Sequence, residues 1–446
     1  MSLLKLKTRF KNGAAYLEDV YGGAAIIMAL MTPIIIGGLA FGAEVGGWEM
    51  TKRKLQNAAD VAAFAAATQL RSGKDVATMT AAAKAVAETS GYVGGDPGIA
   101  VESPPSTAPL AVDGTDPNGK AAYVYVTLTQ TDRRVFTRYF ARGSDTVSFS
   151  TAAIAHIQNG RPACVLALHP SASGAVSTGG STNVSLSGCD IAANSISQTA
   201  ITSTGNGSSV TADCISAVGS ISVNSTYNLA CPAPISNGPV TADPYANVPS
   251  PTSCDYTGNT NNFTQSGNPS TPAGSGAIRC YSGAANSWNF NRSISLAPNV
   301  TYVLENTSAN QVASLQLTGG KTITGANVTL HFKGKWNIKL VGNSTIDITA
   351  PTSGTYAGLA LFGSRSSEVD MDLSGNNGAH IVGAVYSPNK DSDITYTGSN
   401  VAYSSGQCTQ VIGGTVTFWG NSNFTTNCSN SGTKEIKAAQ SIKIVG

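Results

Sequence analysis

Charge is what this chain has least of. Lys, Arg, Asp and Glu make up 12% of its 446 residues, and the net charge is +2. Nucleic-acid binding needs a clustered basic surface, so that class of partner is excluded. Residues 161–446 hold only 12 basic and 12 acidic groups. Histidine is rarer still. His156, His169, His331 and His380 are the whole set, and no two of them have the spacing of a zinc-ligand pair. There is no G-x-S-x-G elbow and no phosphate loop. No cysteine precedes Cys164. The expectation is a protein without catalytic residues, metal, cofactor or small-molecule substrate.

Against this scarcity stands one long apolar run. Gly22 to Ala43 is 22 residues without a charge. A helix rising about 1.5 Å per residue crosses roughly 30 Å of hydrocarbon in that length. The run continues without a break into WEMTKRKLQNAADVAAFAAATQL, so a single helix over 22–71 is predicted. Pro33 falls inside it, which membrane helices tolerate. Gly38, Gly42 and Gly46 repeat every four residues, the spacing that lets helices pack closely in lipid. Lys5, Lys7, Arg9 and Lys11 argue for a cytoplasmic N-terminus, although Lys52, Arg53 and Lys54 lie on the other side. A cleaved secretory signal ending at Ala40-Phe41-Gly42 is the competing reading. Gly13 with Glu18 five residues on looks like a prepilin leader, but Asp19 and Tyr21 interrupt the apolar surroundings it needs. All eight cysteines lie downstream in a polar segment, an even set that suits disulfides in an oxidising compartment.

Beyond the long helix, 75–90 reads as a second, shorter one and 94–119 as a Pro/Gly-rich loop. Residues 122–131 and 145–157 alternate like half-buried strands, with a short helix or turn at 133–143 between them. From Cys164 onward, runs of about five residues rich in Val, Ile and Thr are separated by Gly, Asn and Ser. STNVSLSGCDIAANSIS and GSSVTADCISAVGSIS place Cys189 and Cys214 alike. Such irregular repeats suit a β-solenoid, and low charge fits stacked coils, where like charges would lie directly opposite each other. A β-sandwich is the alternative. Residues 232–275 read as a long loop or a break in the stack. Cys408 and Cys428 bracket about one coil, and a bridge between them would staple the terminal coil, which should fray most easily. Glu368, Asp370 and Asp372 alternate on one strand face, as a calcium site or a glycan hydrolase would need; the plainer reading is a charged edge that discourages strand pairing. Asp391 and Asp393 repeat the pattern. Trp288, Phe290, Trp336 and Trp419 are candidates for stacking on a glycan, or for the core.

GGAAIIMALMTPIIIGGLAFGAEVG followed by LQNAADVAAFAAATQL resembles the N-terminal region of TadE/TadG-like Flp pilus (tight adherence) assembly proteins. Leu55, Gln56, Ala58, Ala59, Asp60, Ala62 and Ala63 carry the match. Phe64 stands where leucine is usual, and Glu44 where aspartate is common. ACVLALHPSASGAVS is similar to the start of the distal half of TadG-like proteins, with His169 where aspartate is usual. Longer relatives carry a metal site of the form Asp-x-Ser-x-Ser; His169-Pro170-Ser171-Ala172-Ser173 lacks the aspartate ligand, so no metal is expected. The resemblance sits on the α+β layout read from the residues: a cytoplasmic head (1–21), a transmembrane helix (22–47), a pilin-like region (48–160) and a disulfide-stapled β-solenoid (161–446). It implies a non-enzymatic accessory or minor pilin-like component of a bacterial inner membrane, with a periplasmic or cell-surface C-terminal half. Its partners would be other Tad/Flp assembly components and the pilin itself. A surface adhesin or glycan-binding module on a β-helix is the alternative, and a β-helix polysaccharide hydrolase or lyase the third.

Overall fold

The computed structural model describes residues 22–94, 98–139, 144–204, 207–224, 226–264, 277–340, 343–373, 379–397, 408–420, 423–427 and 433–446. The basic head, with Gly13 and Glu18, lies outside them. The chain forms two compact units.

The first unit is built on helix α1, Gly22–Arg71. Pro33 has no N–H to donate, and the Thr32 hydroxyl just before it donates to the Met28 carbonyl, one turn back, at 2.6 Å. Helix α2, Val76–Thr89, is capped by Asp75, whose carboxylate accepts the Thr78 N–H at 2.9 Å. It ends before Gly91, whose φ of 94° is left-handed backbone that favours glycine. Strands β1 (Ile99–Glu102), β2 (Tyr123–Arg133) and β3 (Thr146–Ile157) form an antiparallel sheet. The chain's last strand, Ile442–Ile444, joins it beside β3.

Two of these elements differ from expectation. β1 lies inside the stretch read as a loop, because four residues on a sheet edge carry too little periodicity to register. The last strand belongs to this unit and not to the solenoid, although 161–446 reads as one segment. Ala58, Ala59, Ala62, Ala63, Ala66 and Ala67 line one face of α1 and are fully buried in a core with Val124, Val126, Leu128, Ala153 and Ala155. Alanine's small side chain lets the helix axis approach the sheet closely, at no rotamer-entropy cost. The first half of α1 is different. Ile26, Leu30, Ile34 and Leu39 are 64–70% exposed. Among the described residues this is the one helix long and apolar enough to cross a membrane.

The second unit is a parallel β-solenoid with three strands per coil. One face stacks ten strands, from Ile215–Ala217 at one end to Tyr256–Asn259 at the other. A second face stacks eight, and the third is in two four-strand pieces. Every pairing within these stacks is parallel, which rules out an antiparallel sandwich. Inward residues form columns: Leu315, Ile338, Met371, Ile394, Val416, Val176 and Ile201 follow one another from rung to rung. All seven are fully buried. Each such side chain contributes about 1.5–3 kcal/mol relative to exposure. Gly383, at φ 130°, sits where strand Ala379–Ser387 passes from the third face to the first.

The order of the coils could not be read from the repeats. The chain enters the stack at the third of these ten strands, Arg161–Ala167, and winds outward through Asp190–Ala193 to Ile215–Ala217. It then crosses to the far end, restarts at Tyr256–Asn259, and winds back until Thr409–Gly413 lies beside Arg161–Ala167. Of the stretch 232–275, residues 232–255 hold the crossing between the two parts of the stack, and Tyr256–Asn259 is already a rung. Part of the crossing is strapped to the outer face of the ten-strand sheet. The Thr241 backbone and the Asn194 amide exchange two hydrogen bonds of 2.8 Å. Tyr245 is buried against Tyr386. The Tyr386 hydroxyl donates to Asp243 at 2.7 Å, and Arg365 donates to the Tyr245 carbonyl at 2.6 Å.

This order corrects the reasoning behind the Cys408–Cys428 expectation. The coil at 409–427 is the last in sequence, yet it is interior to the stack and lies on the first coil. The ends prone to fraying are elsewhere, and each carries a disulfide. Cys214–Cys231 staples one end and Cys254–Cys280 the other, with Cα atoms 5.3 and 5.7 Å apart. Cys164–Cys189 joins two coils near the point of entry. Closing a loop of this length contributes about 3 kcal/mol in the chain-entropy model. Cys428 lies outside the described residues, so the pairing with Cys408 falls there too.

Candidate functional site

The LQNAAD stretch is a packing device. Leu55, Ala58 and Ala59 are buried against the sheet of the first unit. Gln56 Nε2 donates to Asp60 Oδ1 at 2.9 Å and to the Ala152 carbonyl of β3 at 3.0 Å. The Asp60 carboxylate thus orients the amide that ties helix to strand. One residue type at each position does one job: Ala gives close approach, Gln reaches the strand, and Asp holds the Gln.

A second feature sits at the end of the apolar run. The Glu44 carboxylate accepts the backbone N–H groups of Val135, Phe136 and Thr137 at 2.8, 3.0 and 2.7 Å. The Thr137 hydroxyl donates to it as well, at 3.2 Å. These three N–H groups open a single turn of 3-10 helix, Thr137–Tyr139, so the carboxylate acts as its cap. Phe136 reaches back along α1, where a Cβ placed on Gly37 would meet the ring at 3.9 Å. The Arg134 guanidinium lies over the Trp48 ring at 6.0 Å, and that of Arg138 over Tyr139 at 4.7 Å. Residues 133–143 read from sequence as a short helix or turn, but nothing linked that turn to a carboxylate about 90 residues earlier. The only signal was Glu44 itself, an acid closing an apolar run. Gly38, Gly42 and Gly46 present open space on α1.

Residues 22–69 match the sequence model of the Tad family, Flp pilus-assembly TadE/G-like. The N-terminal segment is TadE/G-like. No curated protein and no solved structure matches the chain. The TadE/G-like segment coincides with α1, and its single apolar helix fits a membrane-anchored protein associated with Flp pili. Its LQNAAD half packs on the sheet, and its apolar half packs on little of the described protein.

The remaining candidates separate. Glu368, Asp370 and Asp372 do not mark an edge. Strand Val369–Asp372 lies inside the eight-strand stack, between Trp336–Leu340 and Asp393–Thr397. Asp370 and Asp372 are half-buried on its outer face, and burial pushes both carboxyls above the usual range. Lys339 approaches Asp372 at 3.6 Å, and Asp391 pairs with Lys390 at 2.6 Å. Among the described residues no three His, Cys, Asp or Glu side chains are grouped to hold a metal ion. His169 closes a turn: its Nδ1 accepts the N–H groups of Ser171 and Ala172 at 3.0 and 2.8 Å, as a carboxylate would. Of the four aromatics considered for glycan stacking, Trp288, Phe290 and Trp336 are core residues, whereas Trp419 is 47% exposed.

Proposed function

We propose that this protein is a non-enzymatic accessory or minor pilin-like component of a Flp pilus system. It is held in the inner membrane by α1, with its N-terminus cytoplasmic and its solenoid in the periplasm or at the cell surface. Its partners are other Tad/Flp assembly components and the pilin. The observation that carries this reading is the division of α1: one half is buried on a sheet through the TadE/G-like motif, and the other is apolar and exposed. Exposing that much apolar surface to water is unfavourable, so it requires a lipid or protein environment. Gly38, Gly42 and Gly46 form the face through which a partner helix packs.

Fractionation and protease protection test the proposal. Full-length protein should remain in the inner membrane, with residues 161–446 digested only when protease reaches the periplasm. Loss of the gene should reduce Flp pili, and the full chain should restore them. Recovery of a soluble chain beginning near Glu44, or unaltered piliation in the deletion strain, contradicts the reading. A second reading, saccharide binding by the solenoid, is favoured by Trp419. Its exposed indole covers Gly179, beside the Ser177 and Thr417 hydroxyls, which lie 3.0 Å apart. Trp419→Ala should abolish glycan binding on that reading and leave pilus assembly intact.

A further inference from the structure

The clamp at Glu44 places a loop where the apolar span ends, and the loop has the composition of a bilayer interface. Gly37 lies seven residues before Glu44, about 10 Å deeper along the helix axis, and Phe136 lies against it. Val135 and Tyr139 are each 72% exposed. These apolar and aromatic side chains at the end of the span, with Trp48 one turn beyond Glu44 under the Arg134 guanidinium, match the aromatic belt of membrane interfaces. Arg133, Arg134 and Arg138 surround them, and Lys52, Arg53 and Lys54 follow on α1. The acidic residues on the same stretches are Glu49, Asp132 and Asp145, while Glu44 is taken up by the loop's own N–H groups. The remaining charge is positive.

We infer that Arg133–Tyr139 is a second membrane contact, which sets Phe136 at the acyl boundary and its arginines against the phosphates of anionic phospholipids. Glu44 is the positioning residue. It satisfies three backbone donors that would otherwise need water, so the loop can sit in a poorly hydrated layer. The inference rests on the anchor reading of α1 and adds a lipid class and a second point of contact.

The test uses the full chain in lipid nanodiscs, with an environment-sensitive fluorophore on Val135→Cys and brominated phospholipid as quencher. In discs containing phosphatidylglycerol the label should be quenched, and in phosphatidylcholine alone much less so. Each of Arg133→Gln, Arg134→Gln and Arg138→Gln should lower the docked-to-free ratio about fivefold in the anionic discs. Glu44→Ala should release the label to a water-like emission while the chain stays in the disc. Arg138→Gln alters an exposed side chain and keeps the test valid should Glu44→Ala misfold. A label that stays unquenched in anionic discs, or is quenched equally in both lipids and unmoved by the arginine changes, overturns the inference alone. A chain that never enters the discs overturns the anchor reading and the inference with it.

Discussion

Val416→Ala tests the closure between the two parts of the stack. Val416 is fully buried, with Val176 of the first coil on one side and Ile394 of the preceding coil on the other. The change deletes two carbons, a transfer loss of about 1.6 kcal/mol at about 0.8 per methylene. A cavity term follows, because neighbouring rungs are fixed by their ladders, and brings the total to about 2–3 kcal/mol. If the last coil in sequence were a frayed end, the same change would cost about half as much or less. Val176→Ala on the facing rung should behave alike. Because the two side chains share a wall, the double mutant should depart from additivity by at least about 0.5 kcal/mol. The assay is urea denaturation of the full chain in detergent, followed by the fluorescence of the buried Trp288 and Trp336. Single-mutant costs below about 1 kcal/mol with strict additivity would refute the closed order of coils.

Acid stability should show two opposed contributions. His331 is buried, its Nδ1–H donating to the Phe362 carbonyl at 2.9 Å, and burial lowers it to about 4. Its contribution is complete above the unfolded value near 6.5 and is lost as pH falls toward 4, about 3 kcal/mol in all. Asp190, raised by burial to about 6, acts in the opposite sense: its contribution is present below the unfolded carboxyl value and is lost as pH rises through 6. Asp190→Asn should therefore expose a steep acid loss in denaturation midpoints between pH 6.5 and 4, and His331→Leu should remove it; equal pH profiles for both variants would contradict the assignment. Tyr386→Phe deletes the hydroxyl that donates to Asp243 and should cost about 1–3 kcal/mol, read as a lower urea midpoint, with faster proteolysis near Tyr245 as the strap loosens. Non-reducing peptide mapping should recover Cys164–Cys189, Cys214–Cys231 and Cys254–Cys280 and is expected to find Cys408 joined to Cys428. Mixed pairings among the first six would contradict the fold.

Local chemistry was legible wherever the signal is carried by neighbours along the chain. The uncharged run Gly22–Ala43, its continuation into LQNAAD, the alternation in β2 and β3, and the Gly/Asn-punctuated rungs after Cys164 each report a backbone state through periodicity. That was enough for the long helix, the solenoid and the TadE/G-like character of residues 22–69. Only the tertiary structure decided which rung lies on which. Parallel rungs rich in Val, Ile and Thr are chemically interchangeable as neighbours, so sequence order does not encode stacking order. Val416 meets Val176 because the crossing segment carries the chain to the far end before it winds back. The same limit hid the clamp at Glu44. Backbone N–H groups are identical at every residue, and no side-chain pattern announces that a carboxylate on a helix will collect three of them from a turn about 90 residues away.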